Sequence, residues 1–253
     1  MKIAVTIAVL AVMVLGAWVL LAGRAPPAKA QSFEQRYPDL PKDAVARRSR
    51  SNAVMVAQRV PVNSWLPVIE SEAEAKKRPA RQITMRAIAT LAVALKGEGL
   101  EQGPVDGIVR DYHLATVLTP DEKAFIAAAA PSERDRVKFS WRYEAANVLL
   151  WSLGFVDSLG PPRTAVDPAV LVRLLKENSA EQLVAKARLR PIGDILDQAD
   201  LIYRYRWALV DARINGKPPP SGLNDDVAME RHHALNWLIG SMDQDWDDIS
   251  LDT

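Results

Sequence analysis

The segment from Glu230 to Thr253 contains the densest group of side chains that could do chemistry: two histidines, one asparagine, two tryptophans and five aspartates. Glu230 and His233 are three residues apart, so on a helix they would share a face, as the ligands of a carboxylate-bridged metal site do. Ordinary packing explains the same spacing, with Glu230 and Arg231 in ion pairs and His233 against Trp237. A metal site needs more ligands than this pair, and we expect neither a metal nor another cofactor.

Asp243, Asp245 and Asp247 alternate along the chain, as the first oxygen ligands of a calcium-binding loop do. Position six of such a loop is glycine, but here it is Asp248, and no glutamate follows to close the loop. The pattern therefore indicates an acidic turn that terminates a helix rather than a calcium site.

Trp246 lies among these aspartates. Because an exposed indole gains nothing from solvent, we expect Trp246 to dock on the helical body near Trp237. Arginines from elsewhere in the fold would then neutralise Asp245, Asp247 and Asp248. The candidate arginines are Arg47, Arg48 and Arg50, or Arg142 and Arg204.

An internal similarity relates residues 144–157 to residues 230–243, with five identities in fourteen positions. In both segments a Glu precedes a Trp by seven residues, so the two side chains would share a helix face. Two such helices facing each other would frame a pocket, whereas the bland interpretation is that helices often end in Gly after an aromatic residue. The candidate pocket consists of Trp141, Arg142, Glu144, Trp151, Arg204, Glu230, His233, Asn236, Trp237, Asp245 and Trp246.

Two functions of different classes remain open. The first is a non-enzymatic helical binding or interaction module, which is favoured because the chain has no cysteine and no P-loop, nucleophile elbow or zinc-protease motif. The second is a hydrolase, metal-dependent or acid–base, that uses Glu144, Glu230, His233 and the C-terminal aspartates. A lipid-binding surface formed by the basic residues near positions 47–50 and 76–81 is a third interpretation.

Charge and the first residues restrict partners and location. The chain of 253 residues carries 32 Lys and Arg against 31 Asp and Glu, which argues against a nucleic-acid partner. Residues 3–22 form an almost unbroken apolar run of bilayer length, followed by a cleavage motif, Ala28-Lys29-Ala30. Residues 1–30 are therefore expected to be a signal peptide or a membrane anchor. The protein would lie at the cell membrane, or be periplasmic or exported if cleaved after Ala30.

Helical patterns cover the rest of the chain, and no alternating strands occur. A Pro-rich tether is predicted for residues 31–43. Capping boxes at Thr119 and Ser179, and an N-cap at Ser132, predict helix starts, and one helix is expected from Ser132 to Leu153. Gly97 is expected to end a core helix. The prediction for residues 44–253 is a single all-α domain of about seven to nine helices.

An ordered set of motifs also resembles a known family. The motifs are WRYEA at 141–145 with LLWSLG at 149–154, LRP at 189–191, ILD at 195–197, DLIYR at 200–204, DAR at 211–213, ERH at 230–232, NW at 236–237 and WDD at 246–248. Together they resemble the bacterial family known as domain of unknown function 4272. The resemblance runs from about Arg48 to Thr253, and it implies no activity or site.

Overall fold

The computed structural model describes residues 32–253, which fall into two units, residues 32–39 and residues 40–253. In the first unit a helical turn, Phe33–Arg36, begins at a capping box formed by Ser32 and Gln35. The tether predicted for residues 31–43 therefore includes one helical turn. The apolar run of residues 3–22 and the expected signal peptide or anchor lie outside the described residues. Within residues 32–253, no helix has both the length and the apolar character needed to cross a membrane.

The second unit is built from ten α-helices, and no strand occurs within the described residues. This confirms the all-α prediction. The helices are α1 (Lys42–Ala57), α2 (Ala80–Glu98), α3 (Gln102–Asp111), α4 (Pro120–Ala127), α5 (Glu133–Ser140), α6 (Arg142–Ser152), α7 (Pro168–Glu177), α8 (Ala180–Lys186), α9 (Ile192–Ile214) and α10 (Asp225–Ile239). Short 3₁₀ turns follow α10 at Ser241–Asp243 and Trp246–Asp248.

Local capping chemistry sets several helix starts as predicted. Thr119 and Ser179 each form a complete capping box, in which the hydroxyl accepts from the third helical N–H and a Glu or Gln side chain accepts from the cap N–H. The Ser132 hydroxyl accepts from the Asp135 N–H at the start of α5. These side chains satisfy backbone donors that a helix start would otherwise leave without partners.

Two predicted boundaries are wrong, and both involve one close contact. The single helix expected from Ser132 to Leu153 breaks at Trp141 into α5 and α6. Gly97 lies inside α2 instead of ending it, and Gly99, with φ of 110°, is the cap. A Cβ on Gly97 would lie 2.5 Å from the backbone nitrogen of Ser140. Gly97 is therefore required so that α2 can touch the end of α5.

The core is organised around α2. Every residue from Ala87 to Ala94 is at most 1% exposed, so this helix is buried on all sides. Helix α2 packs against α5 and α6, α6 packs against α10, and α10 packs against α9, which also contacts α1. Helices α6 and α10, which contain the two similar segments, are thus neighbours in the centre of the unit.

The two similar segments end in matching ways. Arg190 Nε donates to the carbonyl of Trp151 at 2.8 Å, and Arg78 Nε donates to the carbonyl of Trp237 at 2.6 Å. Each guanidinium also lies over the indole of that Trp, at 5.0 Å and 4.2 Å from the ring centroid. Each Arg precedes a Pro that opens a long helix, α9 in one case and α2 in the other.

The backbone repeats the correspondence. Two residues before each Arg, the N–H of Arg188 donates to the carbonyl of Leu153, and the N–H of Lys76 donates to the carbonyl of Ile239. The next residues along the chain from these carbonyls, Gly154 and Gly240, have φ of 80° and 68°. These shared contacts support the interpretation that the two segments are duplicated copies.

Candidate functional site

Two buried ion pairs link α6 and α10. Arg142 Nη1 lies 3.0 Å from Glu230 Oε2, and Arg231 Nε lies 2.9 Å from Glu144 Oε2. The Glu144 carboxylate also accepts a hydrogen bond from the backbone N–H of Val166. The carboxylates that the sequence offers for acid–base work are therefore each held by an arginine, as the packing interpretation of Glu230 and Arg231 expects.

His233 is buried beside these pairs. Burial, followed by the charges of Arg142 and Arg86, lowers the pKa of His233 to about 2. The imidazole is therefore neutral near pH 7 and carries one ring proton instead of the two of the charged form. Burial raises the pKa of Glu230, although Arg142 opposes this shift. Its ion pair thus forms against a desolvation cost, which is usual for charges taken out of water.

Trp246 is only 3% exposed, which confirms that it docks on the helical body. Its ring meets that of Trp237 edge-on at 5.3 Å, as predicted, and that of His233 edge-on at 4.6 Å. The guanidinium groups of Arg86 and Arg142 lie 4.9 Å and 5.7 Å from its ring centroid. Aromatic and cationic groups therefore surround the indole.

The predicted arginine partners of the terminal aspartates have other contacts. Arg47 and Arg50 approach Asp197, Arg204 pairs with Asp200, Arg142 pairs with Glu230, and Arg48 donates to the carbonyls of Ser64 and Leu66.

Residues just before α2 and at the start of α4 contact the segment after α10 instead. Lys76 Nζ lies 2.8 Å from Asp243 Oδ2, and Asp247 Oδ2 accepts from the N–H of Asp121 at 3.4 Å. Arg78 donates to the carbonyl of Gln244. The segment after α10 is therefore attached to the starts of α2 and α4.

A cleft of about 1000 Å³ lies where these elements meet, which is large enough for a ligand. Its lining is Arg78, Pro79, Arg81, Gln82, Met85, Arg86, Thr116, Val117, Thr119, Pro120, Asp121, Trp237, Asp245, Trp246, Asp247 and Asp248. We call it the indole cleft. Trp246 Nε1 is a buried donor without an acceptor in the described structure. A buried N–H without a partner costs roughly 1–3 kcal/mol, so this donor would gain from a ligand that supplies an oxygen.

The structure distributes the eleven predicted pocket residues over several places. Trp237, Asp245 and Trp246 line the indole cleft, and Arg142, Glu230 and His233 are buried next to Trp246. Trp141 and Glu144 line another cavity, of about 510 Å³, together with Glu98 and Tyr143. Asn236 donates to the carbonyl of Ser250, Trp151 lies under Arg190, and Arg204 is paired in the core.

Arg78, Arg81 and Arg86 line the cleft but were not predicted to do so. One signal was available, because the Arg-Pro step at 78–79 repeats at 190–191 before another long helix. Within residues 32–253, no group of three or more His, Asp or Glu side chains is placed to hold a metal ion.

Residues 40–253 therefore form a single all-α domain, and two tryptophans line its indole cleft. A family model described as a domain of unknown function, DUF4272, matches residues 47–249. This match covers most of the chain, so the chain belongs to that family, as the motifs predict. Comparisons with curated proteins and with solved structures gave no match.

Proposed function

We propose that residues 40–253 form a non-enzymatic interaction module whose indole cleft receives a segment of another protein that carries a basic side chain. The observation that carries the proposal is a cleft of about 1000 Å³ that is lined by exposed carboxylates and by Trp246, whose buried indole N–H has no acceptor in the described structure.

The floor of the cleft supports a polypeptide ligand. Trp237 and Trp246 supply rigid apolar surface of the kind that dominates binding energy at protein interfaces. A peptide carbonyl would satisfy Trp246 Nε1, which otherwise stays unpaired. A purely apolar ligand would leave this N–H unsatisfied.

The charge around the cleft supports a basic side chain on that ligand. Asp121, Asp245, Asp247 and Asp248 line the cleft and are exposed. Within the described part of the chain, Asp121 faces Lys138 at 3.8 Å, and the other three carboxylates form no ion pair. Arg78 is already engaged with the Trp237 ring and carbonyl. Arg81 and Arg86 line the cleft as well, and Arg86 is paired with Glu122, so an incoming Lys or Arg would meet four carboxylates against three arginines.

The hydrolase alternative has weaker support. Glu144 and Glu230 are each paired with an arginine, and His233 is neutral because its pKa is lowered to about 2. A general base needs a pKa near the working pH and reach to its substrate. The arginine partners of the two carboxylates and the lowered pKa of His233 therefore give acid–base catalysis little support.

The proposal also assigns the module to a membrane or to the space beyond it, on the basis of the apolar run at residues 3–22 and the cleavage motif after it. A reporter enzyme that is active only outside the cytoplasm, fused after Thr253, should be active. Activity confined to a cytoplasmic reporter would contradict this location.

Selection of a displayed library of short peptides on the full-length chain tests the cleft. We expect enrichment of peptides that contain Arg or Lys, and weaker binding of a selected peptide by Asp245→Asn, Asp248→Asn and Trp246→Phe. The last variant removes the N–H and keeps an aromatic ring. Asp111→Asn changes an exposed carboxylate elsewhere and should leave binding unchanged. Enrichment of acidic peptides, or equal binding by all four variants, would reject the proposal.

A further inference from the structure

The segment after α10 also forms a wall of a second cavity, of about 610 Å³. Residues 245–248 line the indole cleft, whereas Ser241, Met242, Ser250 and Asp252 line this one. Its other walls come from the start of α1, residues 68–74, Tyr203 of α9, and His232 and Asn236 of α10. We call it the acidic cavity.

The charge of its lining is of one sign. Glu70, Glu74 and Asp252 line the cavity, and no Lys or Arg does. Two buried arginines lie behind the lining: Arg47 donates to the backbone carbonyl of Glu70 and pairs with Asp43, and Arg206 pairs with Asp225. Glu74 accepts from the hydroxyl and N–H of Ser71 through Oε2. The cavity therefore has an excess of carboxylate charge.

A buried ring supplies independent evidence for a ligand. His232 lines the cavity, is only 2% exposed, and leaves Nδ1 without a hydrogen-bond partner in the described structure. Burial, followed by the charge of Arg206, lowers the pKa of His232 to about 3, so the imidazole is neutral. In the tautomer that carries the proton on Nε2, Nδ1 is a hydrogen-bond acceptor without a partner in the described structure. An unpaired acceptor among carboxylates favours a ligand that donates hydrogen bonds and carries positive charge.

Apolar and aromatic surface lies beside these groups. Val68, Ile69 and Met242 line the cavity, and the ring of Tyr203 lies 6.1 Å from that of His232. A bare metal ion would gain nothing from this surface, whereas an alkyl chain or a methylated nitrogen would. The combination fits an organic cation better than an inorganic one.

We propose that the acidic cavity binds an organic ammonium group, with the charged nitrogen near Glu70 and Asp252, an N–H donated to His232 Nδ1, and the carbon chain along Ile69, Met242 and Tyr203. The same chemistry is offered by a free alkylamine and by a lysine side chain. This site is separate from the indole cleft and does not depend on the function proposed for it.

Calorimetric titration of the full-length chain tests the inference with four probes: butylammonium, tetramethylammonium, acetyl-lysine methylamide with a free side-chain amine, and butanol as the uncharged control. We expect the three cations to bind and butanol not to bind. Tighter binding of the lysine derivative than of butylammonium would identify a protein side chain as the source, and the reverse order would identify a free amine. Equal heats for butanol and butylammonium, or no binding by any cation, would overturn the proposal.

Variants separate the contributions of charge and hydrogen bonding. Glu70→Gln and Asp252→Asn should each weaken all cations by about tenfold, because each removes one nearby charge. His232→Leu should weaken butylammonium but not tetramethylammonium, which has no N–H to donate. Asp111→Asn should change neither, and a thermal melt confirms that every variant is folded. Cation binding that survives both carboxylate substitutions would rule out this cavity.

Discussion

Replacement of Trp246 by Ala should strongly destabilise the domain. The indole is 3% exposed, meets two rings edge-on at 4.6 Å and 5.3 Å, and lies 4.9 Å and 5.7 Å from two guanidinium groups. Truncation of a buried Trp to Ala costs about 3–5 kcal/mol, and the edge-on contacts favour the upper end of that range. Removal of the unpaired Nε1 donor also removes an unfavourable contribution of roughly 1–3 kcal/mol, so the free energy of unfolding should fall by about 3 kcal/mol.

Urea unfolding followed by far-ultraviolet circular dichroism measures this loss, which should lower the midpoint by about 1 M or more. Trp65→Ala is the matched control, because that residue is 51% exposed and should lose much less. Asp243→Asn separates the effect of the indole from that of charge. Its ion pair with Lys76 is exposed on both sides, and such pairs contribute little to stability. Equal midpoints for Trp246→Ala and the parent would refute the buried docking of the terminal segment.

Two further predictions concern the backbone and pH. Gly240→Ala should destabilise the fold by more than Gly222→Ala in the same urea assay. Both glycines have a positive φ, of 68° and 71°, but only at Gly240 would the new Cβ meet another residue, at 2.7 Å. Equal losses of stability would contradict this contact. Burial lowers the folded pKa values of His232 and His233 to about 3 and about 2, whereas unfolded histidines titrate near 6.5. Stability is therefore greatest above about pH 6.5 and falls by several kcal/mol as pH drops to about 4.5. The raised pKa of Glu230 makes the folded state less stable as pH rises above about 4.5, which opposes the effect of the histidines. A urea midpoint that does not change with pH between about 7 and 4.5, in the parent and in His232→Leu, would count against neutral buried histidines.

The sequence predicted the elements whose causes are local. Capping residues such as Thr119 and Ser179 act within one helical turn, so their effect can be read from spacing alone. The break at Trp141 and the continuation of α2 through Gly97 have a different origin. Both lie at the contact between Gly97 and Ser140, which are 43 positions apart in the numbering and meet only in the folded chain.

The candidate site also combines features with local causes and features that depend on contacts between distant residues. Spacing correctly indicated that Glu230 and Trp237 are close along one helix, but it could not show whether their face meets solvent or the core. The Glu230 carboxylate is buried and forms an ion pair with Arg142, so it is not a free acid. The partners of the terminal aspartates were also unpredictable, because many arginines could reach them in an unknown fold. The contacts of Lys76 with Asp243, Asp121 with Asp247 and Arg78 with Gln244, which form only in the folded chain, fix which helix starts face that segment.

The two similar segments, interpreted as copies of one unit, indicate where function should be sought. Each copy ends with a Trp held by an Arg, and these matched contacts stabilise the body. The copies differ in the residues that come after them. Three positions beyond the similar segments, Gly160 stands in the first copy where Trp246 stands in the second. The side chains that line both the indole cleft and the acidic cavity include residues of this second extension, 241–253. A shared contact is explained by stability, whereas a buried indole present in one copy alone, with its N–H unpaired, is better explained by a ligand.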